Sequence, residues 1–179
     1  CGMIKMLWHE RLACARAGRQ VQLFDRAQAF GEVGAGIQIG PNVTRILAQW
    51  GLSDALGEVA AFPTHLQVRN ALSGDELAQL PLGATARARY GAPYATIHRA
   101  DLHALLLRAV QAHAGCSLHL DSPLQAFAQS QSQVRAQTGD GAWHEADGLI
   151  GADGLWSAVR QWLLDDGMPR VTGHLAYRA

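Results

Sequence analysis

The 179-residue chain carries 15 basic and 15 acidic side chains, and 49% of its residues are hydrophobic. A net charge of zero gives no bulk attraction to nucleic acid or to an anionic membrane, and so apolar a composition argues against disorder. No run reaches the ~18 apolar residues of a membrane span. The three cysteines lack a CxxC spacing, which favours a reducing compartment, so we expect a cytoplasmic protein.

The first half of the chain predicts alternating helices and strands. Residues 6–17 favour a helix that stops at Gly18, and "RQVQLFD" alternates polar and apolar residues as a short strand ending at Asp25 does. A glycine-rich loop follows, and Pro41 suits the first turn of a helix that runs to Gly51. A shorter helix starts at Ser53. Residues 66–71 and 76–80 then flank a Ser-Gly-Asp turn and predict a hairpin.

The second half predicts a strand at 94–98, a helix over 102–113 capped by Asp101, and four short strands over 116–120, 124–129, 133–138 and 143–146. "GLIGADG" predicts a further short strand at 148–150 and a turn, followed by a helix that opens near Ser157. Residues 173–179 end the chain as a strand. This order indicates an α/β fold with a parallel sheet and an inserted β-rich piece.

The stretch "GEVGAGIQIGPN", residues 31–42, has the letters of a glycine-rich cradle for a dinucleotide pyrophosphate. Such a cradle needs a strand directly before it and a helix N-terminus directly after it. "AQAFGEV" is a poor strand, and no acidic residue stands at a strand end about 20 positions later. The stretch is therefore predicted to be a site loop rather than the cradle.

Asp25 is a better guide to the position of a dinucleotide site than the glycine-rich stretch, because an acid at the end of a strand accepts hydrogen bonds from an adenosine ribose. Gly2 lies about 20 residues earlier and is the candidate for the first glycine of the GxGxxG pattern that binds the pyrophosphate. The second and third glycine positions of this pattern hold Ile4 and Leu7. Arg26 follows the acid as a further candidate for cofactor binding. The alternative is an ordinary acid at a strand end, and the sequence leaves both open.

Two strand-to-helix junctions carry further candidates. Asp153 and Gly154 are predicted to form a turn before a helix. In one interpretation the carboxylate binds a sugar or ribityl hydroxyl. In the other, this is an ordinary Asp-Gly turn that precedes a Ser N-cap. Arg99, in "HRADL", can clamp a diphosphate with both guanidinium arms, or can be an exposed arginine beside a helix cap.

The motifs "GEVGAGIQIGPN", "HRADL", "GADGLWSAVR" and "GHLAYRA", in this order and spacing, resemble the FAD-dependent aromatic-ring monooxygenases of the salicylate hydroxylase and 3-hydroxybenzoate 6-hydroxylase type. The resemblance implies a Rossmann-like FAD-binding domain over 1–168, incomplete because its first strand and glycine fingerprint are degraded, and the start of a truncated substrate domain over 169–179. The family's later Gly-Asp motif would lie beyond the last residue.

The resemblance also implies roles for single residues. Asp25 would hold the adenosine ribose, Arg99 would contact the flavin nucleotide, and Asp153 with Gly154 would serve both FAD and the nicotinamide donor. The resemblance places Gly36, Ile37 and Gln38 near the isoalloxazine ring and the substrate. Some members have a catalytic histidine where Gln38 stands, so Gln38 implies polar contact. Arg178 would lie beside the ring.

The expected function is that of a fragment of a monooxygenase that hydroxylates a phenolic or aromatic acid with FAD, NADH or NADPH, and O2. An alternative is a non-catalytic remnant that binds FAD weakly or not at all, with self-association through an exposed sheet edge. A third is an NAD-binding dehydrogenase domain, which would not need "HRADL" or "GADG". The eight histidines show no HxxxH spacing and are expected to be surface or packing residues.

Overall fold

A computed structural model describes residues 8–29 and 35–174, with side chains of the first helix from residue 12 onward. The elements in chain order are α1 Trp8–Arg16, β1 Val21–Phe24, β2 Gly36–Ile39, α2 Pro41–Gln49, α3 Ser53–Val59, β3 Ala60–Ala61, β4 His65–Arg69, β5 Glu76–Pro81, α4 Gly83–Tyr90, β6 Ala95–His98, α5 Arg99–Gln111, β7 Cys116–His119, β8 Leu124–Gln129, β9 Val134–Thr138, β10 Trp143–Ala146 and α6 Ala158–Leu164. They form two compact units, the first comprising residues 1–30 and 109–179 and the second residues 31–108.

The first unit contains the parallel strand pair that the alternating pattern predicts. β1 pairs with β7 in register from Val21 opposite Cys116 to Phe24 opposite His119. Helix α1 lies against both strands, and Gly18, with φ +78°, ends the helix in a conformation that glycine adopts without strain. A parallel pair requires a long crossover connection, and here the whole second unit lies between the two strands in sequence.

An antiparallel sheet of β8, β9 and β10 completes the first unit, with β9 in the centre. Strand β9 is buried at alternate positions, so Val134, Ala136 and Thr138 share one covered face. The connection between β9 and β10 contains Gly139, Asp140 and Gly141, and Gly141 has φ +84°. Phe24 and Val159 form a small buried core against which Leu124 and Ala152 pack. This core joins the end of β1 to the start of α6.

The second unit is built on an antiparallel sheet in the order β2-β6-β3. Helix α2 follows β2 directly, with Pro41 in its first turn. The buried hydroxyl of Thr44 in α2 donates to the carbonyl oxygen of Pro93 at 2.6 Å. Helix α4 packs against α2 and ends at Gly91, whose φ is +71°.

The β4–β5 hairpin of the second unit is exposed along both strands. Its turn contains Gly74 at φ +76°, as the Ser-Gly-Asp signal predicts. One face of the ribbon carries Leu66 opposite Leu80 and Val68 opposite Ala78, and the other face is polar. The sequence therefore located this hairpin correctly.

Three local predictions were wrong. Residues 36–39, which we expected to lie in a loop, form strand β2. They are extended because they pair with β6, which lies nearly 60 residues later in the sequence. Helix α5 begins at Arg99, so Asp101 lies in its first turn rather than at its cap. Residues 148–150 form no strand. The sequence also missed α4 and β3.

Most of the expected terminal strand lies outside the described residues, and Gly173 and His174 at its start are not in a strand. Within residues 8–29 and 35–174, no helix combines the length and hydrophobicity of a membrane span.

Candidate functional site

Asp25 lies directly after β1 and is buried, with 3% of its surface exposed. Its backbone N–H donates to the carbonyl of His119 at 2.9 Å, and its own carbonyl accepts from the N–H of Ser122 at 2.8 Å. Carboxylate oxygen Oδ1 accepts from the N–H of Ala27 at 2.8 Å. Oδ2 is buried and has no hydrogen-bond partner among the described residues. A buried carboxylate oxygen in this state is an acceptor ready for a donor from a ligand.

Arg26 follows Asp25 but is exposed. The described structure therefore fixes Asp25 tightly and leaves Arg26 at the surface.

Asp153 caps helix α6. Its Oδ2 accepts from the N–H groups of Ala158 at 2.6 Å and Val159 at 3.2 Å, and its Oδ1 accepts from the hydroxyl of Ser157. Ser157, the N-cap, accepts from the N–H of Arg160 at 3.0 Å. Together the two side chains satisfy the first three free N–H groups of the helix. Gly154 has φ +84°, a conformation that favours glycine at this turn.

Gly151 is a residue that the sequence analysis missed. A Cβ placed on it would lie 2.5 Å from Cγ1 and 2.6 Å from Cβ of Val159. Only glycine therefore lets α6 approach the turn this closely. The signal in the sequence was the first glycine of "GADG", three positions before the glycine that forms the turn.

The small core described above brings two candidates into one neighbourhood. Phe24 precedes Asp25 and Ala152 precedes Asp153, and both of these hydrophobic residues belong to the cluster around Val159. The first unit thus places the end of β1 beside the Asp153-Gly154 turn. Residues that bind one ligand in an α/β fold lie close together at strand ends in this way.

The second unit brings the remaining described candidates together at the β2–β6 pair. Gly36 lies opposite His98, Ile37 opposite Ile97 and Gln38 opposite Thr96. The N–H of Arg99 donates to the carbonyl of Ala35 at 3.3 Å, so Arg99 adjoins the start of this segment. Gly36 and Gln38 are exposed, whereas Ile37 and Arg99 are half-buried.

Gly2 and Arg178 lie outside the described residues, so their proposed roles stay predictions. Of the histidines, His119 and His144 are packing residues, with ring centroids 4.8 and 4.5 Å from that of Phe24. Within the described part of the chain, no group of three His, Cys, Asp or Glu side chains is arranged to hold a metal ion.

The comparison with known families decides the family. The family described as "FAD binding domain" matches residues 12–170, which is most of the chain. The chain belongs to this FAD binding domain family. Its cofactor is FAD, and the mixed α/β architecture agrees with the fold expected from the motifs.

Two curated relatives confirm the resemblance that the motifs carry. The 6-hydroxynicotinate 3-monooxygenase of Bordetella bronchiseptica is 41% identical over 165 residues, which cover 92% of this chain and 42% of that protein. The 3-hydroxybenzoate 6-hydroxylase of Klebsiella oxytoca is 39% identical over 168 residues, covering 94% and 42%. The chain thus spans about two fifths of the length of these relatives.

Solved structures show the same fold at low sequence identity. PqsL of P. aeruginosa in complex with 2-aminobenzoylacetate has a TM-score of 0.78 at 20% identity, over 92% of this chain and 44% of that one. Klebsiella pneumoniae HpxO complexed with FAD and uric acid has a TM-score of 0.74 at 22% identity, over 90% and 41%. These structures share the fold of this chain.

The cap geometry predicts that Asp153→Ala lowers the free energy of unfolding by about 2 kcal/mol, because two helix N–H groups and one hydroxyl lose their acceptor. Ser157→Ala removes one acceptor and is expected to cost about 1 kcal/mol. Urea unfolding measures both changes. Asp147→Ala is the control, since Asp147 is exposed. Equal stability of Asp153→Ala and Asp147→Ala would show that Asp153 is not the cap.

Proposed function

We propose that this chain supplies the adenosine-binding part of a flavin-dependent monooxygenase that hydroxylates an aromatic acid with FAD, NADH or NADPH, and O2. The observation that carries the proposal is the buried Oδ2 of Asp25 without a partner among the described residues. It lies at the end of a parallel strand, where a ribose hydroxyl would donate to it. A family whose cofactor contains an adenosine ribose matches the chain around this residue.

The relatives' names support the substrate class. One acts on 6-hydroxynicotinate and another on 3-hydroxybenzoate, and both names denote an aromatic ring with a carboxylate and a hydroxyl group. We therefore propose a small hydroxylated aromatic acid as the substrate. The alternative of an NAD-binding dehydrogenase domain loses support, because the relatives are monooxygenases and hydroxylases.

The residues present fit the cofactor. Asp25 would hold the ribose, and Arg99 at the start of α5 would contact the diphosphate of the flavin nucleotide. The exposed Gly36 and Gln38, with the half-buried Ile37, would face the flavin ring and the substrate. FAD itself supplies the redox chemistry, so the task of these side chains is to bind and orient it. The candidate roles of Arg26, Gly2 and Arg178 stay predictions.

For Asp153 we propose a role other than the direct contact with FAD that the resemblance implies. Both oxygens of its carboxylate accept hydrogen bonds at the N-terminus of α6. We propose that Asp153 holds the turn at Gly154 in place and that the turn backbone approaches the cofactor. A glycine at positive φ without a side chain suits such an approach.

A second candidate function, which the sequence leaves open, is a chain that binds FAD weakly without completing a hydroxylation on its own. FAD titration under NADH separates the two. Binding together with NADH oxidation that depends on the aromatic acid supports the monooxygenase, and binding without turnover supports the second candidate. Self-association through a sheet edge and a cytoplasmic location stay predictions, and light scattering checks the first of them.

A titration of the chain with FAD, followed by flavin fluorescence, tests the proposal. We expect saturable binding by the unmutated chain and a roughly tenfold weaker affinity for Arg99→Lys, because lysine cannot make the two parallel bonds of a guanidinium to a diphosphate. Arg108→Lys, at an exposed position of the same helix, is the control and should bind as the unmutated chain does. No saturable binding by the unmutated chain would refute the proposed function.

A further inference from the structure

Three aromatic rings meet at the end of β1. The ring of His119 stacks on that of Phe24 with centroids 4.8 Å apart and planes 18° apart. The ring of His144 lies 4.5 Å from Phe24 at 49°, and the two imidazoles are 6.1 Å apart. Phe24 is 3% exposed, so its side chain is held by these neighbours and by the core around Val159.

A series of hydrogen bonds fixes one of these rings. Thr138 is 2% exposed, and its hydroxyl lies 2.7 Å from Oδ1 of Asp140 and 3.1 Å from Nε2 of His144. The hydroxyl also lies 3.3 Å from the carbonyl oxygen of Ala142. Both oxygen partners are acceptors, so the single hydroxyl proton of Thr138 is directed to them. The hydroxyl oxygen must then accept from His144, which places the proton of the neutral ring on Nε2.

The state of Asp140 supports this direction. The hydrogen bond from Thr138, followed by that from the N–H of Ala142, lowers the pKa of Asp140 below its usual value. Asp140 is therefore a carboxylate at neutral pH and can only accept. The series runs in one direction, from the imidazole N–H through the hydroxyl to the carboxylate.

The rings connect this series to the proposed ribose acceptor. Phe24 directly precedes Asp25, and the backbone N–H of Asp25 donates to the carbonyl of His119 at 2.9 Å. His119 thus holds Asp25 through its backbone and Phe24 through its ring. His144 closes the same cluster from the β9–β10 hairpin. Phe24 is thus the side chain that both contacts the His144 ring and directly precedes Asp25 in the chain.

We propose that Thr138 and His144 are positioning residues for the carboxylate of Asp25, acting through the ring of Phe24. This role rests on the proposed function, because it concerns the geometry that Asp25 offers to the ribose of FAD. The buried Oδ2 must meet its donor at about 2.7 Å, and a displaced carboxylate forms a longer and weaker bond. The hairpin would then set cofactor affinity without touching the cofactor.

Two variants are decisive. Thr138→Val keeps the shape of the side chain and removes the hydroxyl, whereas Thr138→Ser keeps the hydroxyl and removes the methyl group. Val110→Ala is the stability control, because it opens a cavity at a fully buried position of α5 that belongs neither to the Thr138 hydrogen bonds nor to the core around Phe24 and Val159. The readouts are the FAD dissociation constant by fluorescence, and the His144 tautomer by NMR of the flavin-free chain labelled with ¹⁵N-histidine. Thermal unfolding identifies variants that fail to fold.

We expect the Nε2–H tautomer in the unmutated chain and in Thr138→Ser, with unchanged FAD affinity. Thr138→Val should lose the dominance of that tautomer and raise the dissociation constant roughly three- to tenfold. Val110→Ala should lower the melting temperature and leave both readouts unchanged. An Nδ1–H tautomer in the unmutated chain, or a folded Thr138→Val with unchanged FAD affinity, would overturn the positioning role while the proposed function stands. An unmutated chain that binds no FAD contradicts the proposed function, and the positioning role with it.

Discussion

Replacing Asp25 by asparagine is expected to weaken FAD binding roughly tenfold to a hundredfold. A hydrogen bond to a charged group contributes about 1.5–3 kcal/mol, and each 1.4 kcal/mol is about a factor of ten in affinity. Asparagine keeps the shape of the side chain and can still accept from the N–H of Ala27 through one oxygen. It replaces the other oxygen, the buried Oδ2, by an amide group. Fluorescence titration with FAD measures the change.

The same substitution should leave the flavin-free chain at least as stable as before. A buried carboxylate oxygen without a partner among the described residues destabilises the fold, and a neutral amide of equal size removes that charge. Binding and stability would thus move in opposite directions, which general misfolding cannot produce. Asp147→Asn, an equal charge change at an exposed position, is the control. Unchanged affinity of Asp25→Asn would exclude Asp25 as the ribose acceptor.

Gly151→Ala is expected to cause the largest loss of stability, about 3 kcal/mol. The added Cβ would overlap Cγ1 and Cβ of Val159 at 2.5 and 2.6 Å, and Val159 is 4% exposed within the core beside Phe24. A β-branched side chain on a helix has little rotamer freedom with which to yield. Helix α6 must therefore shift, together with its cap at Asp153. Urea unfolding gives the free energy, and hydrogen exchange of the α6 amides reports the shift.

Gly148→Ala provides the matched control in the same segment. A Cβ at position 148 meets nothing within 4 Å, and this glycine has no positive φ. The same chemical change should therefore leave stability within about 0.5 kcal/mol of the unmutated chain. Equal stability losses at positions 148 and 151 would mean that the approach of α6 to Gly151 does not require glycine.

The parts of the fold that were predictable from sequence are those that local patterns determine. The alternation in "VQLF" followed by an acid located β1 and Asp25, and the Ser-Gly-Asp turn located the β4–β5 hairpin. Strand β2 could not be found in this way, because Gly36 and Gln38 have low strand propensity. Pairing with β6, far away in sequence, is what makes them extended. Tertiary contacts decided that element.

The candidate site shows the same division. The sequence was sufficient to select Asp25, Arg99 and Asp153 as candidates. It also offered the Ser157 N-cap as one of two interpretations of the Asp153-Gly154 turn. The buried and unpartnered oxygen of Asp25 depends on how β7 and the following turn enclose it, which no local pattern contains. The capping role of Asp153 became visible only with the orientation of α6.

The central claim is that Oδ2 of Asp25 accepts a hydrogen bond from the 2′-hydroxyl of the cofactor's adenosine ribose. Isothermal titration of the unmutated chain and Asp25→Asn with ADP and with 2′-deoxy-ADP tests it, since the pair of ligands differs only in the hydroxyl concerned. We expect the unmutated chain to bind ADP at least roughly tenfold more tightly than 2′-deoxy-ADP, and Asp25→Asn to lose most of that preference. An equal preference in both proteins would contradict the claim.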